Sequence, residues 1–133
     1  MAYLLDTNVI SDLVRNPNGV AAASLDRVGD DSVFTSIIVA GELRYGARKK
    51  GSAPLADRVE RALKRIRVAS LDQPADQYYA EIRHELLRRG QPIGNNDFLI
   101  AAHALATESI LVTANVSEFS RVPGLHIENW FTD

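Results

Sequence analysis

The sequence predicts an α/β fold in which a central parallel sheet of four to five strands is flanked by helices on both faces. Short apolar runs of strand length alternate with longer segments of helical periodicity, and strands separated by helices pair in parallel. The chain has 133 residues, of which 46% are apolar. This is enough for one buried core and leaves no room for a second, so we expect a single domain over residues 1–133.

The strand candidates are short apolar runs, each bounded by polar or turn-forming residues. The first ends at Asp6, and the fourth, ILVT, is the clearest. They cover residues 2–5, 32–35, 68–71 and 110–113, with an edge strand within residues 126–130.

The segments between the strands carry apolar residues at helical spacing. Asn8 is the expected cap of the first helix, and Ser36 is the expected cap of the helix after the second strand. In that helix the residues expected to face the core are Ile37, Val39, Ala40, Leu43 and Ala47. The same periodicity places Glu42 about one turn from its beginning. Further helices are expected over residues 20–28, 54–66, 74–89 and 97–108.

Composition excludes several classes of protein. Without cysteine there can be no disulfide framework and no thiolate metal site, so any metal must be held by oxygen or imidazole ligands, a set that favours a hard cation. No stretch approaches the roughly 20 apolar residues that span a bilayer, and the first residues lack the pattern of an export signal. We therefore expect a cytoplasmic protein.

The charge is unevenly distributed. The net charge is −2, yet residues 44–67 hold nine Lys and Arg residues against two acids, a local charge of +7. Such a segment could follow a phosphate backbone while the acidic remainder supplies metal ligands. Solvated helix faces explain the same pattern about equally well. The candidate contacts to a nucleic-acid backbone are Arg44, Arg48, Lys49 and Lys50.

Three acids far apart in the sequence are predicted to meet at one edge of the sheet. Asp6 ends the first strand, Glu42 lies near the start of the helix after the second, and Asp97 begins the helix leading into the fourth. The carboxyl ends of parallel strands share one rim, where ligands bind. Clustered carboxylates repel each other, and a divalent cation such as Mg²⁺ relieves that repulsion while activating water for attack on a phosphate.

Each acid also has a plain structural interpretation. Asp6 could serve only as a helix cap, and Glu42 could be a solvated residue paired with Arg44 or Lys49. Asp97 could cap its own helix, although Asn95 and Asn96 are alternative caps. The combination of three acids at one rim is what favours a functional site.

The histidines and aromatic residues are predicted to pack rather than to react. His103 has no second histidine at metal spacing and lies on an alanine-rich face, and the other two histidines are isolated. Tyr78 and Tyr79 could stack on bases, but on an amphipathic helix they are expected to pack against a core or a subunit. Trp130 is expected to close the core.

Five segments, in this order, resemble the PIN-domain family and, more narrowly, the VapC toxins of bacterial type II toxin–antitoxin pairs. The match runs over almost the whole chain. The segments are LLDTN at 4–8, VAGELRYGA at 39–47, GNNDFLIAAHAL at 94–105, LVTANVSEF at 111–119 and GLHIENW at 124–130.

The resemblance implies a PIN fold and a Mg²⁺- or Mn²⁺-dependent endoribonuclease. The first acid of the family corresponds to Asp6, the acid on its helix to Glu42, and its third acid to Asp97. These three residues would then be the metal ligands and catalytic residues. Many members carry a fourth acid where this chain has Asn115. This residue is the fourth candidate catalytic residue, because its amide can coordinate a metal-bound water. It brings no negative charge, so a single ion is expected rather than a symmetric pair. Glu118 could partly substitute for that acid if its helix turns it inward.

The resemblance also implies supporting residues and partners. The supporting polar residues fall on Thr7, Asn8 and Thr113. A cognate VapB antitoxin would block the active site, and a homodimer would align two active sites along one basic groove. The GNND loop and the GLxxExW ending resemble the VapC toxins that cleave tRNA, so the expected substrate is a tRNA cut in its anticodon stem-loop.

The sequence fits three other functions less well. A haloacid dehalogenase type of phosphatase needs a second Asp where this chain has Asn8. A non-catalytic RNA-binding module of PIN fold would gain from losing acids near phosphates, and this chain keeps three. A flap-type DNA nuclease needs further acids and DNA-binding segments for which the chain has no room.

Overall fold

The computed structural model describes residues 1–132, and its centre is a five-stranded sheet with the order β3–β2–β1–β4–β5. Every neighbouring pair of strands is parallel. This confirms the predicted fold class. The strands are β1 (Tyr3–Leu5), β2 (Val33–Ser36), β3 (Val68–Ala69), β4 (Ile110–Val112) and β5 (Ile127–Glu128).

Seven α-helices join the strands within residues 1–132, and none of them is long and apolar enough to cross a membrane. The chain runs outward from β1 through β2 to β3, then crosses back to β4 and β5. Because crossovers between parallel strands are right-handed, this reversal puts the later helices on the opposite face of the sheet. The helices are α1 (Thr7–Arg15), α2 (Val20–Val28), α3 (Ile37–Lys50), α4 (Ala53–Arg65), α5 (Ala75–Arg88), α6 (Asn95–Ala106) and α7 (Val116–Phe119).

The core lies between the sheet and one stripe of each helix. On α3 that stripe consists of Val39, Ala40, Leu43 and Ala47, all buried as predicted. The prediction for Ile37 was wrong, since it is 50% exposed. At 3.6 residues per turn it lies about 100° round the helix from the centre of the stripe, so its side chain points away from the core.

The helix starts position the polar residues. Asp6, rather than the predicted Asn8, caps α1 by accepting a hydrogen bond from the Thr7 amide at 2.8 Å. Asn8 is thereby drawn into the first turn. Ser36 caps α3 as predicted, by accepting from the Ile38 amide at 3.1 Å.

The residues predicted to pack do so. His103 is buried on α6, with its Nδ1 2.8 Å from the Ser36 hydroxyl, and burial lowers its pKa. Tyr79 meets Phe98 edge to face, with ring centroids 6.4 Å apart. Trp130 is buried against the core. These three side chains therefore pack within the fold and do not contribute to the candidate site at the edge of the sheet.

Candidate active site

Asp6 is the most firmly held of the predicted acids. Its Oδ1 accepts the capping bond from the Thr7 amide, and its Oδ2 accepts from the Thr113 hydroxyl at 2.7 Å and from Asn8 Nδ2 at 3.2 Å. Burial raises the pKa of Asp6 more than these donors lower it, and the nearby charge of Glu42 raises it further. The structure therefore fixes a buried carboxyl group at the carboxyl end of β1.

Asn8 and Thr113 join the two loops that form the rim. The Asn8 Oδ1 accepts from the Ala114 amide at 3.0 Å, while the Thr113 hydroxyl accepts from the Asn115 amide at 3.0 Å. Since both side chains also donate to Asp6, one carboxylate is tied to the start of α1 and to the loop after β4. The supporting positions predicted from the resemblance are thus in contact with the first acid.

Glu42 reaches the same rim from the second turn of α3. Thr7 Oγ1 donates to its Oε1 at 2.6 Å, and Asn96 Nδ2 donates to its Oε2 at 3.3 Å. The alternative pairing with Arg44 does not form, because Arg44 donates two hydrogen bonds of 3.0 Å to Glu60. Two polar side chains on other helices therefore aim Glu42 toward the start of α6, which carries Asp97.

Asp97 lies in the first turn of α6. The helix begins at Asn95, two residues before the predicted start, so Asp97 is its third residue. Its pKa is raised to about 7, first by burial and then by the negative charges of Asp6, Glu118 and Glu42. The four carboxylates are therefore close enough to interact strongly. Within residues 1–132, however, no three acids or histidines form a ready-made metal cluster, and Glu42 is turned toward Thr7 and Asn96.

Glu118 faces the rim, as it must if it is to substitute partly for the fourth acid. It accepts a hydrogen bond from the Gly94 amide at 3.1 Å and another from the side-chain amide of Asn115. Asn115 thus orients Glu118 with the nitrogen end of its side chain. Asn115, which precedes the short helix α7, and Glu118 within that helix are thus joined by a hydrogen bond.

Sequence reasoning missed the roles of Gly94 and Asn96. A Cβ on Gly94 would lie 3.0 Å from Asp97 Oδ2, so a side chain at this position crowds the carboxylate. Asn96 was weighed only as a helix cap, whereas its side chain bonds to Glu42. The GNND segment therefore donates hydrogen bonds to Glu118 and Glu42 and leaves room for the carboxylate of Asp97. The only signal for this in the sequence is a glycine close to the start of a helix.

The structure separates the predicted RNA contacts from one another. Arg44 and Arg48 border a shallow groove of about 360 Å³ between α3 and α4, where Glu60 neutralises Arg44. Lys50 borders a different groove, of about 200 Å³, that also contains Thr7 and Glu42. Lys49 is exposed. Of the four, only Lys50 shares a groove with a candidate catalytic acid.

Comparison with known proteins identifies the family. A family model described as PIN domain matches residues 3–125. Ribonuclease VapC2 of Rickettsia felis is 36% identical over 132 residues, which is 98% of each chain. The chain belongs to the PIN-domain family and, within it, to the VapC ribonucleases. Another VapC relative, the tRNA(fMet)-specific endonuclease VapC of Salmonella typhimurium, is 35% identical over 133 residues and 98% of each chain.

Solved VapC-containing structures have the same fold. VapBC2 from Rickettsia felis, bound to a DNA fragment from its promoter, matches with a TM-score of 0.90 at 35% identity and covers 98% of this chain and 99% of that one. DNA-bound VapBC from Salmonella typhimurium matches with a TM-score of 0.88 at 33% identity, covering 98% of both chains. The predicted family and fold are therefore confirmed over almost the full chain.

Proposed function

We propose that this VapC ribonuclease is a divalent-metal-dependent endoribonuclease whose metal ligands are Asp6, Glu42 and Asp97. The observation that carries the proposal is the position of the acids: Asp6 is buried and held by Thr113, and Glu42 is held by Thr7 and Asn96 beside the start of α6. Burial and three neighbouring carboxylates raise the pKa of Asp97 there to about 7. Assembling this much negative charge is unfavourable in the bare chain, and a bound cation removes the penalty. A site that only needed hydrogen bonding would have no reason to retain it.

The donor set fits a hard cation. The groups that converge are carboxylate oxygens, which Mg²⁺ and Mn²⁺ prefer, and no thiolate or second histidine competes. When bound, such an ion supplies charge stabilisation at the scissile phosphate and activates the attacking water. Because Asn115 is neutral where many family members have an acid, we propose one ion rather than a symmetric pair.

The protein's own contribution is to hold the acids in place. Asn8 and Thr113 keep Asp6 fixed, and Thr7 and Asn96 orient Glu42. These hydrogen bonds are already formed in the structure without substrate. The acids therefore do not have to be ordered when the substrate binds, which lowers the entropic cost of reaching the transition state. Their removal should therefore lower the rate without changing which bond is cut.

The proposed substrate is tRNA, cut in its anticodon stem-loop. The support is the 35% identity to the tRNA(fMet)-specific endonuclease of Salmonella typhimurium over the full chain. The basic segment 44–67 suits an RNA substrate, although its four named residues do not form one surface. Cleavage-site mapping on unfractionated tRNA tests this proposal, and cuts outside the anticodon stem-loop would contradict it.

We also propose a VapB-type antitoxin as partner and a homodimer as the assembled form of the VapC chain. The related structures from Rickettsia felis and Salmonella typhimurium are VapBC complexes. Co-expression with a VapB-type antitoxin should suppress cleavage, whereas full activity in the purified complex would contradict an inhibitory partner. Light scattering of the free chain should give the mass of two copies, and a monomer at micromolar concentration would refute the dimer.

The catalytic proposal is tested by incubating unfractionated tRNA with purified protein and Mg²⁺ or Mn²⁺. We expect cleavage that stops with EDTA and is lost in Asp6→Ala and Asp97→Asn, while Asp57→Asn, which alters an exposed acid on α4, remains active. Cleavage that persists with the chelator would refute the metal mechanism. RNA binding without cleavage by the wild-type protein would instead favour a non-catalytic RNA-binding module.

A further inference from the structure

Another groove lies along the seam between α1 and α4, and the charged residues that border it take no part in the candidate active site. It has a volume of about 600 Å³ and an apolar floor that includes Leu13, Leu25 and Ile66. Four arginines border it. They are Arg15 from the last turn of α1 and Arg58, Arg61 and Arg65 from α4. The three on α4 are spaced by three and four residues, so they share one face of the helix.

Three of the four guanidinium groups are available to bind an anion. Arg65 donates to Asp30 at 3.0 and 3.1 Å and is already paired. Within residues 1–132, Arg15, Arg58 and Arg61 form no ion pair with a carboxylate, and all three are exposed. The free positive charge of the groove therefore comes from Arg15, Arg58 and Arg61.

This groove borders the smaller groove that contains Glu42. Val14 and Arg15 border both it and the smaller groove that contains Thr7, Glu42 and Lys50. Arg15 lies eight residues after Thr7, which is at the rim, and eight steps along a helix span about 12 Å at 1.5 Å per residue. A helical RNA strand would place about three to four phosphates over that length. A backbone that leaves the scissile bond along α1 therefore meets Arg15 first and the α4 arginines next.

We propose that Arg15, Arg58 and Arg61 form a docking groove for the phosphate backbone of the RNA substrate on one side of the bond that is cut. The inference rests on the proposed function for the identity of the substrate, and it moves the main RNA contact from the end of α3 to the seam between α1 and α4. Arginine suits this role because its planar fork binds phosphate oxygens in pairs. An acidic protein segment is the competing occupant. RNA is favoured because the unpaired arginines line a groove that shares Val14 and Arg15 with the groove that contains Glu42.

The test compares two double variants that remove the same net charge. Arg58→Gln with Arg61→Gln empties the groove, while Arg48→Gln with Lys49→Gln alters the exposed end of α3. Binding of labelled unfractionated tRNA is measured with EDTA between 50 and 300 mM salt. If both groove arginines contact phosphate, the slope of log affinity against log salt falls by about 1.4 to 1.8, which at 0.1 M salt corresponds to about a 25- to 60-fold loss of affinity. The α3 variant should lose less on both measures.

Kinetics and a second ligand complete the test. With Mg²⁺ the groove variant should raise KM for tRNA cleavage and leave kcat nearly unchanged, because the groove lies outside the reacting centre. Wild-type protein that neither binds nor cleaves RNA would refute the proposed function itself. Wild-type activity combined with an unchanged affinity and salt slope in the groove variant, or with losses equal to those of the α3 variant, would overturn only the docking groove.

Two controls keep the result interpretable. Arg15→Gln alone should lower the slope by about 0.7 to 0.9 and serves if the double variant does not fold. Arg27→Gln, which removes an exposed arginine of α2 outside the groove, should change neither measure. Binding of poly-L-glutamate is measured in parallel, and a groove variant that loses this binding while keeping full tRNA affinity would overturn the proposal in favour of an acidic protein segment.

Discussion

Replacing Asp97 by Asn should stabilise the metal-free protein at neutral pH while abolishing its activity. The side chain keeps its shape, and its amide can donate a hydrogen bond to Glu118, the neighbour to which the protonated Asp97 carboxyl is hydrogen-bonded. It no longer carries a charge among the other carboxylates. The pKa of Asp97 is raised from 3.8 to about 7 in the folded chain. The folded state thus holds the proton more tightly than the unfolded state, so stability falls as pH rises from about 4 to about 7 and stays low above that range.

The shift sets the size of the effect. About three pKa units correspond to roughly 4 kcal/mol at 1.36 kcal/mol per unit, which is an upper bound. Asp97 is partly exposed, so solvent screening reduces the expected gain to about 2 kcal/mol. For a chain of this length that is a rise in Tm of about 8 °C at pH 8. At pH 4 the two proteins should unfold at nearly the same temperature.

Thermal unfolding in EDTA across pH 4 to 8.5 measures this directly. The difference in Tm between Asp97→Asn and wild type should open between pH 4 and 7, and Asp57→Asn should show no such pH dependence. Added Mg²⁺ should stabilise the wild type and leave Asp97→Asn unchanged, because only the wild type gains a ligand. Parallel curves for wild type and Asp97→Asn over the whole range would refute the claim that charge crowding at Asp97 is relieved by protonation.

Two further predictions concern the residues that hold the acids. Asn8→Ala should lower the free energy of unfolding by about 1 to 3 kcal/mol, since it removes a hydrogen bond to the buried carboxylate of Asp6, whereas water can replace the bond to the exposed Ala114 amide; urea denaturation measures this, and a loss below 0.5 kcal/mol would contradict it. Gly94→Ala should weaken Mn²⁺ binding in calorimetry, because the new Cβ would lie 3.0 Å from Asp97 Oδ2, whereas Gly41→Ala meets no atom within 4 Å and should raise stability by about 0.5 to 1 kcal/mol. Equal Mn²⁺ affinity in Gly94→Ala and wild type would show that the loop adjusts without cost.

The order and type of the elements could be predicted because apolar periodicity is a local signal. The helix Val20–Val28 has the predicted bounds, and all five strands occur where short apolar runs were found. Caps were harder to predict. Asp6 and Asn8 are both good capping residues two positions apart, and only the pairing of β1 with β4 brings Thr113 next to Asp6 and draws Asn8 into the helix.

The acids of the candidate site could be named from the sequence, but their partners could not. A carboxylate at the end of a strand is visible in one dimension, whereas the hydrogen bond from Thr7 to Glu42 joins residues 35 positions apart. Asn96 bonds to Glu42 across 54 positions. Contacts of this kind depend on how helices α1, α3 and α6 meet at the rim, and local patterns carry no information about that.

The basic segment shows the same limit. Counting charges between residues 44 and 67 correctly indicated an excess of positive charge, yet Arg44 is taken up by Glu60 and Arg65 by Asp30. The free arginines of α4 face Arg15, which lies outside the counted segment. Which charges remain free is decided by the packing of α1 against α4 rather than by the local charge.

The central claim is that one divalent cation is held by three carboxylates and carries RNA cleavage. Mn²⁺ titration by calorimetry, with tRNA cleavage measured on the same preparations of wild type, Asp6→Asn, Glu42→Gln and Asp97→Asn, tests it most directly. The prediction is one tight site in the wild type, with affinity and cleavage lost together in all three variants. Wild-type Mn²⁺ affinity in any of the three variants, or cleavage that survives the loss of binding, would contradict it.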